Sequence, residues 1–283
     1  MIKRVGIVGS GIMGSGIAEV AAKAGFEVVL RSRRQETADA MVASLEKSLT
    51  KQVERGKLEE ATKAEVLGRV SATERLSDLA DADLVIESVV EDLAVKKALF
   101  DELNKIVKDG AILATNTSTL PVIEMAVQTG RHHQVCGVHF FNPAPAMTLV
   151  EIVRPLTASD ETIAEVTAFA EACGKTPVEV KDRAGFIVNA LLFPYLNNAV
   201  RLLENGTADR DGIDAAMKGG CGFPMGPLAL LDLVGLDTSV AILDALYDEF
   251  RDPNYAAIPL LRRMVTAGQL GRKSGQGFYD YQR

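Results

Sequence analysis

The chain has 283 residues, of which 47% are hydrophobic and 24% charged, and its formal net charge is −7. These values are ordinary for a globular protein and leave room for two domains, each with its own core. The negative balance argues against general binding to nucleic acid or to an anionic membrane surface, so an anionic ligand would need a local basic patch.

Cysteine usage and hydropathy favour a protein of the reducing cytoplasm. Cys136, Cys173 and Cys221 are widely spaced and form no C-x-x-C pair, which predicts free thiols rather than disulfides or a metal site. The sequence has no apolar run of about 18 residues, and its apolar start is already the first strand of a nucleotide-binding fold. We therefore expect neither a membrane span nor a signal peptide.

The N-terminal residues predict a dinucleotide-binding unit. An apolar strand, a Gly-x-Gly-x-x-Gly turn, an alanine-rich helix and a second apolar strand follow one another in residues 4–31. Gly9 permits the tight turn, Gly11 lets the backbone approach a pyrophosphate, and Gly14 allows close packing of helix and strand. The residues of the turn that we expect at the cofactor are Gly9, Gly11, Ile12, Met13 and Gly14.

The end of the second strand bears on the choice of cofactor. Ser32 stands where a carboxylate normally accepts the ribose 2′-hydroxyl of NAD, and Arg31 and Arg33 flank it. Serine does not repel a phosphate, and guanidinium groups match phosphate oxygens. This pattern predicts a preference for NADP(H), with NAD(H) use possible; the alternative is that the arginines are solvated surface residues.

Residues 35–67 predict an inserted helical hairpin, because apolar residues recur at helical spacing and residues 55–57 interrupt them. The insertion is longer than a nucleotide-binding crossover requires. It either supports packing or contacts a substrate. Lys51 and Lys57 could hold substrate phosphates, or could simply be solvated.

Further apolar runs predict strands at residues 69–73, 83–89 and 111–114. A helix that begins at Glu91 and carries Lys96 separates the last two. Ligands of open α/β sheets bind outside the carboxyl ends of the strands. Glu91 and Ser118, which follow such ends, are therefore candidate site residues.

Two apolar strands, at residues 135–141 and 148–153, flank a proline-rich turn. If they pair, His139 and Glu151 meet across the turn. A carboxylate on one imidazole nitrogen fixes the tautomer and leaves the other nitrogen to take a proton. The alternative is a core histidine beside an edge glutamate.

After a last strand at residues 176–181, the pattern from residue 185 onward is helical. The predicted helices are 186–204 with a kink at Pro194, 209–218 ended by Gly219 and Gly220, 228–234, 237–250 and 258–267. We expect a dinucleotide-binding domain over residues 1–184 and a helical substrate and dimerisation domain over residues 185–283. A helical domain this small tends to be stabilised by a partner, so a homodimer is expected.

With these residues in view, the chain resembles the short-chain 3-hydroxyacyl-CoA dehydrogenase family over nearly its whole length. The segments that carry the resemblance are 9–16, 85–91, 114–118, 139–143, 182–189, 224–227 and 271–279. The resemblance implies an α/β fold: an N-terminal Rossmann-type domain with a helical hairpin insertion, followed by a C-terminal all-α domain. It also implies an acyl-CoA substrate and a homodimer.

The resemblance implies roles for individual residues. His139 matches the catalytic base and Glu151 the carboxylate that orients it, while Ser118 and Asn189 match polar residues at the substrate's C3 oxygen and thioester. The residues implied at the cofactor are Glu91, Lys96, Asn116 and Asn142. Lys51 and Lys57 match the region that approaches coenzyme A phosphates.

The sequence departs from the family pattern at three positions: Ser32 replaces an acid, Thr119 a common serine, and Ala190 a common arginine. The expected reaction is hydride transfer between NADP(H) and C3 of a short-chain 3-hydroxyacyl-CoA, such as 3-hydroxybutyryl-CoA or acetoacetyl-CoA. One alternative is a dehydrogenase of another 3-hydroxy acid, which would need a catalytic lysine where Asn189 stands. Another is a non-catalytic NADP(H)-binding homologue.

Overall fold

The computed structural model describes residues 1–282, and within them an eight-stranded sheet forms the centre of the N-terminal unit, Met1–Asp182. The strands are β1 Arg4–Val8, β2 Glu27–Arg31, β3 Val70–Thr73, β4 Leu84–Glu87, β5 Ile112–Thr115, β6 Val135–Phe140, β7 Leu149–Arg154 and β8 Thr176–Lys181. Their spatial order is 3-2-1-4-5-6-7-8, with parallel neighbours except for the β6–β7 pair. The start of this order, 3-2-1-4-5, is that of doubly wound dinucleotide-binding sheets, which confirms the predicted fold class.

Helices cover the sheet and connect its strands. They are α1 Ile12–Lys23, α2 Gln35–Glu54, α3 Glu60–Gly68, α4 Leu93–Ile106, α5 Val122–Ala126 and α6 Asp160–Ala172. The α2–α3 hairpin lies where the sequence predicted it. Helix α4 begins two residues later than expected because Asp92 caps it, accepting a hydrogen bond from the Val95 amide at 3.0 Å. Helices α5 and α6 are not among the predicted elements, although the parallel strands β7 and β8 need a crossover of the kind that α6 supplies.

A buried hydrogen-bond cluster connects the α2–α3 hairpin to helix α1, which follows the glycine-rich turn. Glu19 of α1 is 3% exposed. Its Oε1 accepts hydrogen bonds from Lys23 Nζ at 2.7 Å and Gln52 Nε2 at 2.8 Å. Its Oε2 accepts one from Ser48 Oγ at 2.8 Å. Because Ser48 and Gln52 belong to α2, the cluster fixes α2 against α1.

The same cluster sets the ionisation of Glu19. Burial alone would raise the pKa of this carboxyl, but the hydrogen bonds from Lys23, Gln52 and Ser48 outweigh it and hold the pKa below its ordinary value. A carboxyl whose pKa is lowered by folding stabilises the folded state most when it is ionised in both states. Its contribution is therefore complete above the unfolded-state pKa and is lost as the pH falls through the folded-state pKa.

The C-terminal unit, which begins at Arg183, is helical. Its helices are α7 Val188–Glu204, α8 Arg210–Cys221, α9 Pro227–Val234, α10 Leu236–Phe250 and α11 Pro259–Thr266. The prediction that Gly219 and Gly220 end a helix is wrong, since both lie inside α8. Glycine weakens a helix without stopping it. The helix ends at Gly222, whose φ of +71° puts it in the left-handed conformation that closes many helices.

Two buried aspartates organise the apolar core of this unit. Asp214 accepts hydrogen bonds from the amides of Leu228 at 2.8 Å and Ala229 at 3.0 Å, which caps the start of α9. Asp232 accepts from the amides of Phe278 and Tyr279, both at 2.9 Å. A Cβ at Gly226 would lie 2.2 Å from the Asp214 carboxyl carbon, and one at Gly277 would lie 2.0 Å from an Asp232 oxygen. The backbone reaches these carboxylates because the two positions are glycine.

None of the helices within residues 1–282 has both the length and the apolar character needed to cross a lipid bilayer.

Replacing Glu19 with Gln should destabilise the protein by about 1–3 kcal/mol at pH 7, because the charged hydrogen bonds to Lys23, Gln52 and Ser48 are weakened. The difference from the wild type should shrink as the pH falls below 4.5, the ordinary pKa of the group. Urea denaturation at pH 7 and at several lower values measures it. The matched control is Glu46→Gln on the exposed face of α2. A difference that is absent at pH 7, or that does not change with pH, would contradict the assignment.

Candidate active site

The glycine-rich turn joins β1 to α1, and each glycine meets a different surrounding. Gly9 has a φ of +134°, and a Cβ there would lie 2.1 Å from the Ser88 carbonyl oxygen. A Cβ at Gly14 would lie 2.3 Å from the Gly9 carbonyl oxygen. At Gly11, by contrast, no atom of the described chain beyond its sequence neighbours comes within 4 Å of a Cβ. The backbone at Gly11 and the start of α1 therefore leave room for an anionic ligand, which a helix N-terminus attracts.

A cavity of about 700 Å³ opens beside this turn, between the carboxyl ends of β1, β2 and β4 and the face of α4. Its volume is typical of small-molecule sites. Arg31, Ser32 and Arg33 all line it, as do Gly9 and Gly11. Ser32 is 5% exposed and its hydroxyl is hydrogen-bonded to that of Thr37. Arg31 and Arg33 therefore supply positive charge to the cavity at the end of β2.

A second cavity, of about 390 Å³, shares Ser10 and Gly11 with the first and runs between α1, α2 and the loop after β6. Ile12 and Asn142 line it, together with Ser44 and Ser48 of α2. Ile12 is 78% exposed. Met13 instead packs against the core of the unit.

The hairpin lysines predicted at coenzyme A lie outside both cavities. Lys51 is on α2 and Lys57 follows it, and both are exposed. The structure therefore places them on the hairpin surface without bringing them to the other site residues of this unit.

The antiparallel pairing of β6 and β7 places His139 directly opposite Glu151. His139 Nδ1 lies 2.7 Å from Glu151 Oε2, and its Nε2 lies 3.0 Å from Ser118 Oγ. His139 is 4% exposed and Glu151 is fully buried. Because a carboxylate can only accept a hydrogen bond, Nδ1 donates to Glu151, and in the neutral imidazole the lone pair of Nε2 then faces Ser118. The structure thus brings together the three residues that the sequence indicated.

An ion-pair network with two buried members, Lys96 and Glu87, contacts the Ser118 segment through the exposed Glu91. Lys96 Nζ is 2.6 Å from Glu87 Oε1 and 3.2 Å from Glu91 Oε2. The second oxygen of Glu87 accepts a hydrogen bond from Thr115 Oγ1 at 2.7 Å. Glu91 Oε1 accepts one from the Ser118 amide at 2.9 Å. Lys96 is 1% exposed, so its charge is compensated by these two carboxylates.

Glu87 is a site-supporting residue that the sequence analysis missed. It is fully buried at the end of β4. The available signal was a carboxylate inside an otherwise apolar strand, which is seldom tolerated without a cationic partner. Its partner Lys96 was instead assigned to the cofactor.

The loop that follows His139 is held at several points. Asn116 Oδ1 accepts a hydrogen bond from the Phe140 amide at 2.8 Å, and the Asn142–Pro143 peptide is cis. Lys175, also missed from the sequence, donates to the carbonyls of Ala144 at 2.6 Å and Met147 at 2.7 Å. Its burial lowers the pKa of the Lys175 ammonium. The loop that lines the second cavity is thereby tied to the start of β8.

Asn189 belongs to the C-terminal unit. It lies in the first turn of α7 and is buried. Ala190, where the family commonly has arginine, follows it and packs against the core of that unit.

Comparison with known proteins gives matches over both units. The model of the 3-hydroxyacyl-CoA dehydrogenase NAD binding domain matches residues 4–183, and that of the 3-hydroxyacyl-CoA dehydrogenase C-terminal domain matches residues 185–281. The chain is 48% identical to a 3-hydroxybutyryl-CoA dehydrogenase of Clostridioides difficile, over 98% of this chain and 99% of that protein. It is 49% identical to one of Mycobacterium tuberculosis, over 99% of each.

A solved structure is also similar. The crystal structure of (S)-3-hydroxybutyryl-CoA dehydrogenase PaaH1 from Ralstonia eutropha superposes with a TM-score of 0.98 at 42% identity, covering 100% of both chains.

Proposed function

The chain belongs to the 3-hydroxyacyl-CoA dehydrogenase family, and from that premise we propose that it is a 3-hydroxybutyryl-CoA dehydrogenase that prefers NADP(H). The proposed reaction is reversible hydride transfer between the cofactor and C3 of a short-chain 3-hydroxyacyl-CoA. The observation that carries it is the hydrogen-bonded Glu151–His139–Ser118 chain, with distances of 2.7 and 3.0 Å and with Glu151 and His139 buried. A histidine so oriented is suited to exchange a proton with a substrate hydroxyl.

In this proposal His139 is the general acid and base. During oxidation Nε2 takes the proton of the C3 hydroxyl, and Glu151 stabilises the imidazolium through Nδ1. During reduction the imidazolium returns the proton to the C3 oxygen. The Ser118 hydroxyl, whose Oγ lies 3.0 Å from His139 Nε2, would form a hydrogen bond with the same C3 oxygen. The nicotinamide, when bound, supplies or accepts the hydride; Asn189 is proposed to contact the thioester region.

The glycine turn and its larger cavity fit a dinucleotide. The open space over Gly11 suits a pyrophosphate at the start of α1. Arg31 and Arg33 line the cavity at the end of β2, where no carboxylate follows, and this supports NADP(H) over NAD(H). Glu91 and Asn116 follow the carboxyl ends of β4 and β5, and Lys96 of α4 pairs with Glu87 at the end of β4; these three residues are proposed to lie near the nicotinamide.

The second cavity is proposed to receive part of the acyl-CoA. The Ser44 hydroxyl offers a hydrogen bond to an extended polar chain, while Asn142, which also lines this cavity, is proposed to contact the cofactor. Lys51 and Lys57, exposed on the same hairpin, would meet the coenzyme A phosphates as solvated charges.

We propose a homodimer through the C-terminal unit. Large apolar side chains are exposed there: Leu191 at 71%, Leu233 at 49%, Leu202 at 45% and Phe223 at 42%. Exposed apolar surface of this kind is typical of an interface between subunits. A cytoplasmic location is proposed because Cys136, Cys173 and Cys221 are free thiols.

Replacing His139 with Ala should lower kcat for acetoacetyl-CoA reduction by about 10²- to 10⁴-fold, since the proton donor is lost. NADPH binding should persist. Absorbance assays at the NADPH band measure turnover, and fluorescence titration measures the binding of NADPH. The matched control is His133→Ala, an exposed histidine. Turnover of the His139 variant close to that of the wild type would refute the assignment.

The wild type should show a higher kcat/KM with NADPH than with NADH. Replacing Ser32 with Asp should reverse this, lowering kcat/KM for NADPH by about ten-fold or more through repulsion of the 2′-phosphate. Steady-state kinetics with both cofactors checks it. A wild-type kcat/KM with NADH equal to or higher than that with NADPH would contradict the proposed preference.

The protein should have the mass of a dimer in multi-angle light scattering at micromolar concentration. Replacing Leu191 with Glu should shift it toward the monomer, because a carboxylate is costly in an apolar interface. Exposed Glu204 of the same helix, changed to Gln, is the control. A monomer mass for the wild type would overturn the proposal.

A further inference from the structure

The larger cavity beside Gly11 has a wall that the glycine turn does not explain. Val95, Leu99 and Glu102 of α4 line it. Their spacing of four and three residues puts them on one face of the helix. Two members of this face are apolar, and the third carries a carboxylate into the same cavity as the arginines of β2.

The opposite wall is cationic. Arg31 and Arg33 line the cavity from the end of β2 and the residues after it. Arg31 Nε donates to the Glu74 carbonyl oxygen at 3.2 Å, which orients its guanidinium. Burial lowers the pKa of Arg31; the charge of Glu102 acts in the opposite sense and that of Arg33 in the same sense. The charge of Arg31 therefore interacts with those of Glu102 and Arg33, and all three residues line the cavity.

We propose that Glu102 is a specificity-determining residue for the cofactor. Its negative charge partly cancels the positive charge of Arg31 and Arg33 and repels the 2′-phosphate of NADPH. Glu102 therefore weakens the binding of NADPH and reduces the difference in affinity between NADPH and NADH. NADH lacks that phosphate and is little affected. The inference rests on the proposed function only in taking this cavity as the site for the adenosine end of the cofactor.

The size of the effect follows from exposure. Glu102 is exposed, so water screens its charge and salt screens it further. Removing one unit charge several ångströms from a phosphate in such a setting should change binding by about three- to ten-fold at low salt. The change should fade at high salt because the Debye length falls to about 3 Å at 1 M.

The test is Glu102→Gln in the full chain, with the dissociation constants of NADPH and NADH measured by fluorescence titration or calorimetry at low and high salt. We expect the ratio of the NADH constant to the NADPH constant to rise about three- to ten-fold at low salt, with the NADH constant nearly unchanged. The ratio should return toward the wild-type value at high salt.

The matched control is Asp101→Asn, which removes the same charge from the adjacent residue. Asp101 pairs with Lys105 at 2.7 Å and does not line the cavity. An unchanged ratio in Glu102→Gln, an equal weakening of both cofactors, or the same shift in Asp101→Asn would each overturn the proposal. A wild type that binds NADH more tightly would refute the NADP(H) preference, whereas the change of ratio on Glu102→Gln tests Glu102 independently.

Discussion

The hydrogen bond between His139 and Glu151 depends on the register of two antiparallel strands. A slip of one residue between β6 and β7 would turn one of these side chains to the opposite face of the sheet. The register is fixed close by, where Gly137 faces Val153: a Cβ at Gly137 would lie 2.7 Å from Cβ of Val153. The backbone pairing thus determines the geometry of the His139–Glu151 pair, and through it the hydrogen bond between His139 and Ser118.

The sequence predicted those parts of the fold and site that local patterns encode. The glycine turn, the hairpin helices and the facing of His139 and Glu151 across a turn depend on residues close in the chain. Glu87 carried a local signal, as a carboxylate in an apolar strand, but its pairing with Lys96 did not follow from the pattern, because burial of both charges requires β4, β5 and α4 to assemble. The predicted end of α8 was wrong because the left-handed backbone conformation of Gly222 ends the helix, whereas Gly219 and Gly220 are helical.

The two cavities beside the glycine-rich turn meet at a single backbone segment, Ser10 and Gly11. The same turn therefore contributes to both proposed ligand sites. Gly9 and Gly14 are needed because protein atoms crowd them, whereas Gly11 is needed because its surroundings are open. Any side chain at position 11 would enter the space from which a ligand approaches. Contacts within the protein therefore require glycine at positions 9 and 14, whereas access for the ligand requires it at position 11.

The hydrogen-bond donors to Asp232 lie 46 to 49 positions further along the chain: the amides of Phe278 and Tyr279 and the hydroxyl of Tyr281. During synthesis on the ribosome, α9 is made well before the amides that satisfy this carboxylate. A buried carboxylate without its hydrogen bonds is strongly unfavourable. The hydrogen bonds of this carboxylate are therefore complete only after residue 281 has emerged, while the strands of the N-terminal sheet are already available to pair. Vectorial synthesis thus gives the two units different times of folding.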